Sequence, residues 1–262
     1  MFTWLKRGWT LLLTAAIAIV ATVWFLGCSG ESIGEALAAE AGYGSSAGSG
    51  GGGGGGWGNT GGDSNTTSGV NPNAVIKGTF TDSRDGRTYK TVKIGNQRWM
   101  AENLNYALGW CYNNDNSNCN QYGRLYDWST AMGISTSYND NKWGGSGVKR
   151  QGVCPAGWHL PSNQEWNDLV SVVGSPAGTK LKSTSSWNGD YNGTDNYGFS
   201  ALPGGNHGPY SSFKYVGNSG YWWMSTEMDG SYAYNREMYY LDDVKENYWL
   251  KKYMFSVRCV ED

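Results

Sequence analysis

Cys154-Pro155-Ala156-Gly157-Trp158-His159-Leu160-Pro161-Ser162-Asn163-Gln164-Glu165-Trp166-Asn167-Asp168-Leu169 holds a cysteine, a strand-to-helix turn and a marked helix start, with no catalytic motif in it. Ser162 and Glu165 stand in capping-box spacing, so each side chain can satisfy a backbone N–H that the first helical turn leaves without a partner. Trp166, Leu169, Val170 and Val173 then recur at i, i+3, i+4 and i+7, which predicts one buried stripe. Gly174 can close the helix in a left-handed conformation.

Upstream, the spacing predicts a short helix from about Arg124 to Met132, with Leu125, Trp128 and Met132 on one face and Gly133 ending it. Earlier still, Asp85-Gly86 is a turn signal after Gly78-Thr79-Phe80. Tyr89 to Ile94 alternates, and Gly95-Asn96 separates it from Gln97-Arg98-Trp99-Met100, which reads as a β-hairpin. Downstream, Tyr221 to Ser225 and Arg236 to Leu241 are short β-prone runs. Tyr253, Phe255, Val257 and Cys259 alternate with polar neighbours as a half-buried final strand. Two short helices, a twisted antiparallel sheet and long polar loops make the class α+β.

The N-terminus has the layout of an export signal. Lys6 and Arg7 precede 18 uncharged, apolar residues from Trp9 to Leu26. The run ends in Phe25-Leu26-Gly27-Cys28-Ser29, which resembles a bacterial lipoprotein lipobox, with Phe25 where leucine is usual. We expect a signal peptide at 1–27, lipidation at Cys28 and sorting to the outer membrane, which Ser29 favours; the alternative is an uncleaved membrane anchor. Cleavage before Cys28 leaves 18 Lys+Arg against 22 Asp+Glu, a balance of −4. Without a basic run, nucleic acid is a poor partner. Residues 28–73 read as a Gly/Ser-rich flexible tether, with seven consecutive glycines at Gly50 to Gly56. Such a segment buries too little apolar surface to offset its ordering entropy. Residues 74–262 read as one folded domain.

Several spaced blocks resemble the Fibrobacter succinogenes major paralogous domain: Asp82 to Leu104, Gly123 to Trp128, Cys154 to Leu169, Gly198 to Gly205 and Ser256 to Val260, in that order. That family is similar to surface lipoproteins of fibre-degrading bacteria. The Leu160-Pro161 and Glu165-Trp166 block, with Val257-Arg258 near the end, is also similar to the formylglycine-generating-enzyme type of C-type-lectin-like fold. The resemblance implies that fold.

Besides Cys28, cysteines stand at 111, 119, 154 and 259. An even number in an exported domain reads as disulfides, with three pairings open. The pairing we expect is Cys111–Cys119, which closes a polar Asn/Asp loop, and Cys154–Cys259. The second ties the strand before the helix to the last strand, as the lectin-like fold would have its ends meet. With no CxxC and only two histidines, zinc is not expected.

Formylglycine-type chemistry needs a reactive cysteine pair late in the domain, and only Cys259 lies there. His159 reads as a satisfied core histidine, His207 as exposed in a glycine-rich loop, and Glu165 is explained by its cap. No catalytic residue is assigned. Aromatic residues are abundant from residue 74 on: 10 Trp, 17 Tyr and 4 Phe. Trp99, Trp128, Trp158 and Trp166 are expected in the core. Trp110, Tyr112, Trp143, Trp187, Tyr191 and Tyr210 lie amid Gly, Asn and Ser and are candidates to stack on sugar rings. Trp222 and Trp223 are strand neighbours that point to opposite faces, so one of them is expected to be exposed. Asp190 and Asp195, and less so Asp115, Asp229, Asp242 and Asp243, are candidate calcium ligands; no other cofactor is expected. The reading is a surface-tethered, non-catalytic binding domain for plant-wall polysaccharide. The alternatives are a protein–protein interaction or structural lipoprotein of the envelope and, third, an enzyme.

Overall fold

The computed structural model describes residues 75–262, apart from Ser146 and Ser211. The expected signal peptide, Cys28 and the tether lie outside the described residues. No helix among the described residues is long and apolar enough to cross a membrane.

The hairpin forms as its alternation and turn require. Strands β1 (Ile76–Thr81), β2 (Thr88–Ile94) and β3 (Gln97–Met100) run antiparallel in sequence order. The last strand, β12 (Val260–Glu261), pairs with β3 on one side and with β5 (Trp158–His159) on the other. The first five-stranded sheet is thus β1-β2-β3-β12-β5, built from both ends of the domain. A second five-stranded sheet has the order β10-β9-β8-β11-β4. It contains β4 (Leu125–Tyr126), β8 (Gly220–Glu227), β9 (Tyr232–Met238), β10 (Lys245–Leu250) and β11 (Phe255–Ser256). Its β8–β11 pair is parallel, and its other pairs are antiparallel. A separate hairpin joins β6 (Gly204–His207) to β7 (Phe213–Val216). The architecture is α+β, with two sheets and a hairpin where the sequence suggests one late sheet.

The helices are α1 (Asn116–Tyr122), α2 (Trp128–Met132), α3 (Asn163–Val173) and α4 (Ala177–Leu181). Helix α3 has the predicted capping box, with Ser162 and Glu165 bonding each other's backbone N–H. It buries Trp166, Leu169 and Val173. Gly174 ends it at φ 63° and ψ 163°. That is positive-φ backbone open to glycine, but extended in ψ and so not the left-handed helical cap predicted. The helix expected from Arg124 starts later. Leu125-Tyr126 is strand, and Asp127 caps α2 through the Thr130 N–H. Gly133 ends α2, as predicted, and does so in the left-handed region. Helices α1 and α4 were not visible in the apolar pattern.

Side chains from both sheets feed two apolar clusters. One holds Tyr89, Met100, Tyr126, Trp128, Trp158, Trp223, Phe255 and Val257. The other holds Val92, Trp99, Trp166, Leu169, Phe199, Trp222 and Met238. Successive residues go to opposite clusters: Trp99 and Met100 in β3, Trp222 and Trp223 in β8, and Cys259 and Val260 at the start of β12. Because apolar layers cover both faces of these strands, Trp222 and Trp223 are both 0% exposed, which overturns the expectation that one faces solvent. The same cause corrects the half-buried final strand. Phe255 to Val260 is buried without a break, Ser256 and Arg258 included. The fully buried Arg258 guanidinium bonds Asn103 Oδ1 and the Phe199 carbonyl, and burial pulls its pKa down to about 9.

Both expected disulfides are present. Cys111–Cys119 ties the segment before α1 to α1 itself, and Cys154–Cys259 ties the loop before β5 to the last strand segment.

Candidate functional site

Two surface features gather groups able to hold a ligand. The first is a cleft of about 430 Å³ at the start of α3. The Leu160-Pro161 turn after β5 and the capping box fix its floor. Leu160, His159, Ser162 and Glu165 face Gly147, Val148 and Lys149 across it, with Gln164, Ser225 and Thr226 completing the wall. His159 is buried, as expected of a satisfied core histidine. Glu165 Oε1 lies 2.6 Å from its Nε2, and Asp262 Oδ1 lies 2.9 Å from its Nδ1. The second Glu165 oxygen accepts from the Ser162 N–H at 2.8 Å and from its hydroxyl at 2.9 Å. Glu165 therefore does more than cap α3. Burial pushes its carboxyl up, but the hydrogen bonds from His159 and Ser162 outweigh burial and hold it below the usual carboxylate value. At the mouth, the Lys149 ammonium stands 3.6 Å from Asp262.

The second feature is an aromatic end. The sequence places Trp110 in a polar loop, and the fold leaves it 52% exposed on the rim of an open groove of about 320 Å³. Leu108, Asn114, Asn116 and Arg124 line that groove with it. The Trp110 indole lies nearly parallel to the His207 ring, 25° between planes and 6.4 Å between centroids. Phe213 meets His207 edge-on at 4.4 Å. Tyr210, in the β6–β7 turn beside them, is 91% exposed. His207 is thus part of β6 and partly covered, a correction to its expected place in an exposed loop. Burial lowers its pKa, and its Nδ1 has no hydrogen-bond partner.

The other sequence candidates divide by burial. Tyr112 is 7% exposed, packed on Phe213, and Trp187 is 4% exposed with its indole N–H donated to the Ala201 carbonyl. Both corrections have one cause: glycine- and asparagine-rich loops fold back over the core and carry their rings inward. Trp143 is half-buried, under the Arg150 guanidinium at 5.2 Å. Tyr191 is exposed and meets Tyr240 at 6.1 Å. Sequence reasoning missed Leu108, Phe213, Tyr240 and Tyr248, and the cleft residues Val148, Lys149, Gln164, Ser225 and Thr226. Nothing in their spacing marks them, because each site is assembled from segments far apart in the chain.

The candidate calcium ligands do not converge. Asp115 caps α1, Asp195 holds the Ser200 N–H and hydroxyl, Asp229 accepts from Ser231 and Tyr232, and Asp242 accepts from the Thr179 hydroxyl. Asp190 lies exposed in a turn. Among the described residues, no three His, Cys, Asp or Glu side chains gather as they would around a metal ion.

A disulfide-braced α+β domain with a capped-helix cleft and an aromatic end is the class that this geometry defines. The family model for the Fibrobacter succinogenes major domain matches residues 92–261, and the chain belongs to that family. Strand β1 lies before the matched region and is paired with β2 inside the same sheet. No curated protein and no solved structure matches the chain.

Proposed function

We propose that the chain is an outer-membrane lipoprotein, anchored through Cys28 and a Gly/Ser-rich tether, whose domain binds plant-wall polysaccharide without catalysis. The observation that carries this reading is the half-exposed Trp110 indole at the rim of a groove lined by Asn114, Asn116 and Arg124. A sugar ring offers an apolar C–H face for the indole and hydroxyls for amide and guanidinium groups. The non-catalytic reading is supported by the commitments of the reactive groups. The four domain cysteines are in disulfides, and the Ser162 hydroxyl donates to Glu165, not to His159. We also propose that the fold is C-type-lectin-like. The support is the union of the first hairpin with the last strand and the Leu160-Pro161 turn into a capped helix.

Retention on insoluble cellulose and xylan tests the binding. Trp110→Ala is expected to lower retention by up to about tenfold, the weight of one exposed stacking contact, with an unchanged circular dichroism spectrum. Wild-type protein that is not retained on any wall polymer overturns the reading. One feature favours a protein partner as the second reading. The edge strand β10 carries exposed Tyr248, packed edge-on against Tyr232 and Tyr234 of β9, and unpaired strand edges accept added strands.

The anchor has its own test. Cys28→Ser is expected to leave an unprocessed precursor in the cell envelope. Mature protein of wild-type mass from that variant sinks the lipidation reading.

A further inference from the structure

The cleft at the start of α3 lies apart from the Trp110 groove and shares no lining residue with it. At about 430 Å³ it is within the size range of small-molecule sites, and like them it joins apolar walls to a few converging polar groups. Its ionisable groups already hold partners within the protein. Glu165 and Asp262 stand against the two nitrogens of His159, and Lys149 stands against Asp262. An anionic ligand would meet two carboxylates, and a cationic one would meet the ammonium at the mouth. With these groups engaged, the uncharged Gln164, Ser225 and Thr226 are left to meet a ligand, which suits a neutral occupant. The wall is two-sided: Val148 is apolar and exposed, while Gln164, Ser225 and Thr226 supply an amide and two hydroxyls. Thr226 Oγ1 accepts the Asn163 N–H at 3.1 Å, which turns its own proton to other acceptors. A pyranose has the matching halves, an apolar ring face and a rim of hydroxyls.

We propose that this cleft binds the end of a neutral glycan chain, with a ring face on Val148 and hydroxyls on Gln164, Ser225 and Thr226. The proposal rests on the polysaccharide reading and adds a chain-end subsite to it. The rim groups Val148 and Gln164 are exposed, so they can be changed without touching the core.

The test uses full-length protein in detergent, titrated calorimetrically with cellohexaose and with xylohexaose, and run in parallel for retention on the insoluble polymers. Val148→Trp, which fills the cleft from its rim, is expected to abolish hexasaccharide binding. Gln164→Ala is expected to weaken it about tenfold, the size of one lost hydrogen bond. Trp110→Ala is expected to lower polymer retention, and Val148→Trp added to it is expected to remove the hexasaccharide binding that remains. Unchanged hexasaccharide affinity in both cleft variants overturns the subsite. So does an absence of hexasaccharide binding up to about 10 mM, a weak limit on the affinity scale, when the polymers still retain the protein; the Trp110 reading then stands alone. Failure of both polymer and hexasaccharide binding removes the polysaccharide reading and the subsite with it. Binding of a neutral peptide that Val148→Trp blocks, with no response to either sugar, also overturns the proposal. Circular dichroism of each variant confirms that loss reflects the site and not the fold.

Discussion

Replacing both Cys154 and Cys259 by alanine is expected to lower the unfolding free energy by about 4 kcal/mol, near the chain-entropy figure of roughly 4.7 kcal/mol for a loop of about 100 residues. The two cysteines are 105 residues apart, and that interval encloses α3, α4 and every strand from β5 to β11. The bond also sits at the joint between the two sheets. Cys259 lies between β11 of the second sheet and β12 of the first, and both cysteines are fully buried. Without the link, the unfolded chain regains the freedom of its largest closed loop, and the native state loses a packed contact in the core. Cys111–Cys119 spans only 8 residues, and its loss is expected to cost about 2.5 kcal/mol. Equilibrium denaturant curves of the two double variants check the ranking. A Cys154/Cys259 variant as stable as the wild type, or less affected than the Cys111/Cys119 variant, would contradict it.

The second large effect is expected at Lys251. Its ammonium is fully buried and stands 2.6 Å from Glu227 Oε1, whose side chain is also buried. It also donates to the carbonyls of Asn141 and Gly230 and lies 4.7 Å from the Trp128 ring centroid. Removing one partner of such a pair leaves the other charge buried alone, which costs about 3–5 kcal/mol. Lys251→Met is expected to show that loss at pH 7, and Lys251→Met with Glu227→Gln to recover part of it. The pH dependence follows from Glu227. Burial pushes its carboxyl up, but Lys251 and the N–H groups of Trp143 and Gly144 outweigh burial and hold it below its ordinary value of 4.5. The folded value is depressed, so this carboxylate adds stability that is full above pH 4.5 and is lost as pH falls through the lower folded value. In Lys251→Met the ammonium is gone, the carboxyl titrates higher, and the penalty shrinks toward low pH as the carboxyl takes up a proton. Unfolding curves at pH 7 and pH 4 therefore separate the two proteins most at pH 7. An equal difference at both pH values, or one under about 1 kcal/mol, would be incompatible with a buried ion pair of this strength.

How much of the fold and the site was readable depended on how local each cause was. The α3 capping box and its Trp166, Leu169, Val173 stripe need only neighbours within the helix, and they formed as spaced. The β2–β3 hairpin needs two turn residues and an alternating pattern, and it formed in register. The helix expected over Arg124 to Met132 failed in its first half. Leu125 and Tyr126 are drawn into a strand by β11, more than a hundred residues away. Helix α1 escaped notice because it has no apolar stripe. Its only buried residue is Cys119, and the Asp115 cap with the Cys111 disulfide holds it instead.

The sequence by itself determined the α+β class, the family, the cysteine set and the starts and stops that are written in adjacent residues. Tertiary structure alone decided which aromatic rings meet solvent. Alternation along a strand says that Trp222 and Trp223 point opposite ways, but not what lies beyond each face, and here both faces carry an apolar layer. Loop composition placed Tyr112, Trp187 and Trp110 together, yet the first two fold inward and the third stays at a groove rim. The cleft likewise brings Val148, His159 and Thr226 together from three separate segments. Burial is a property of the neighbours that a fold assembles, and those neighbours are distant in sequence, so local pattern sets a side chain's direction and the tertiary structure sets what it meets.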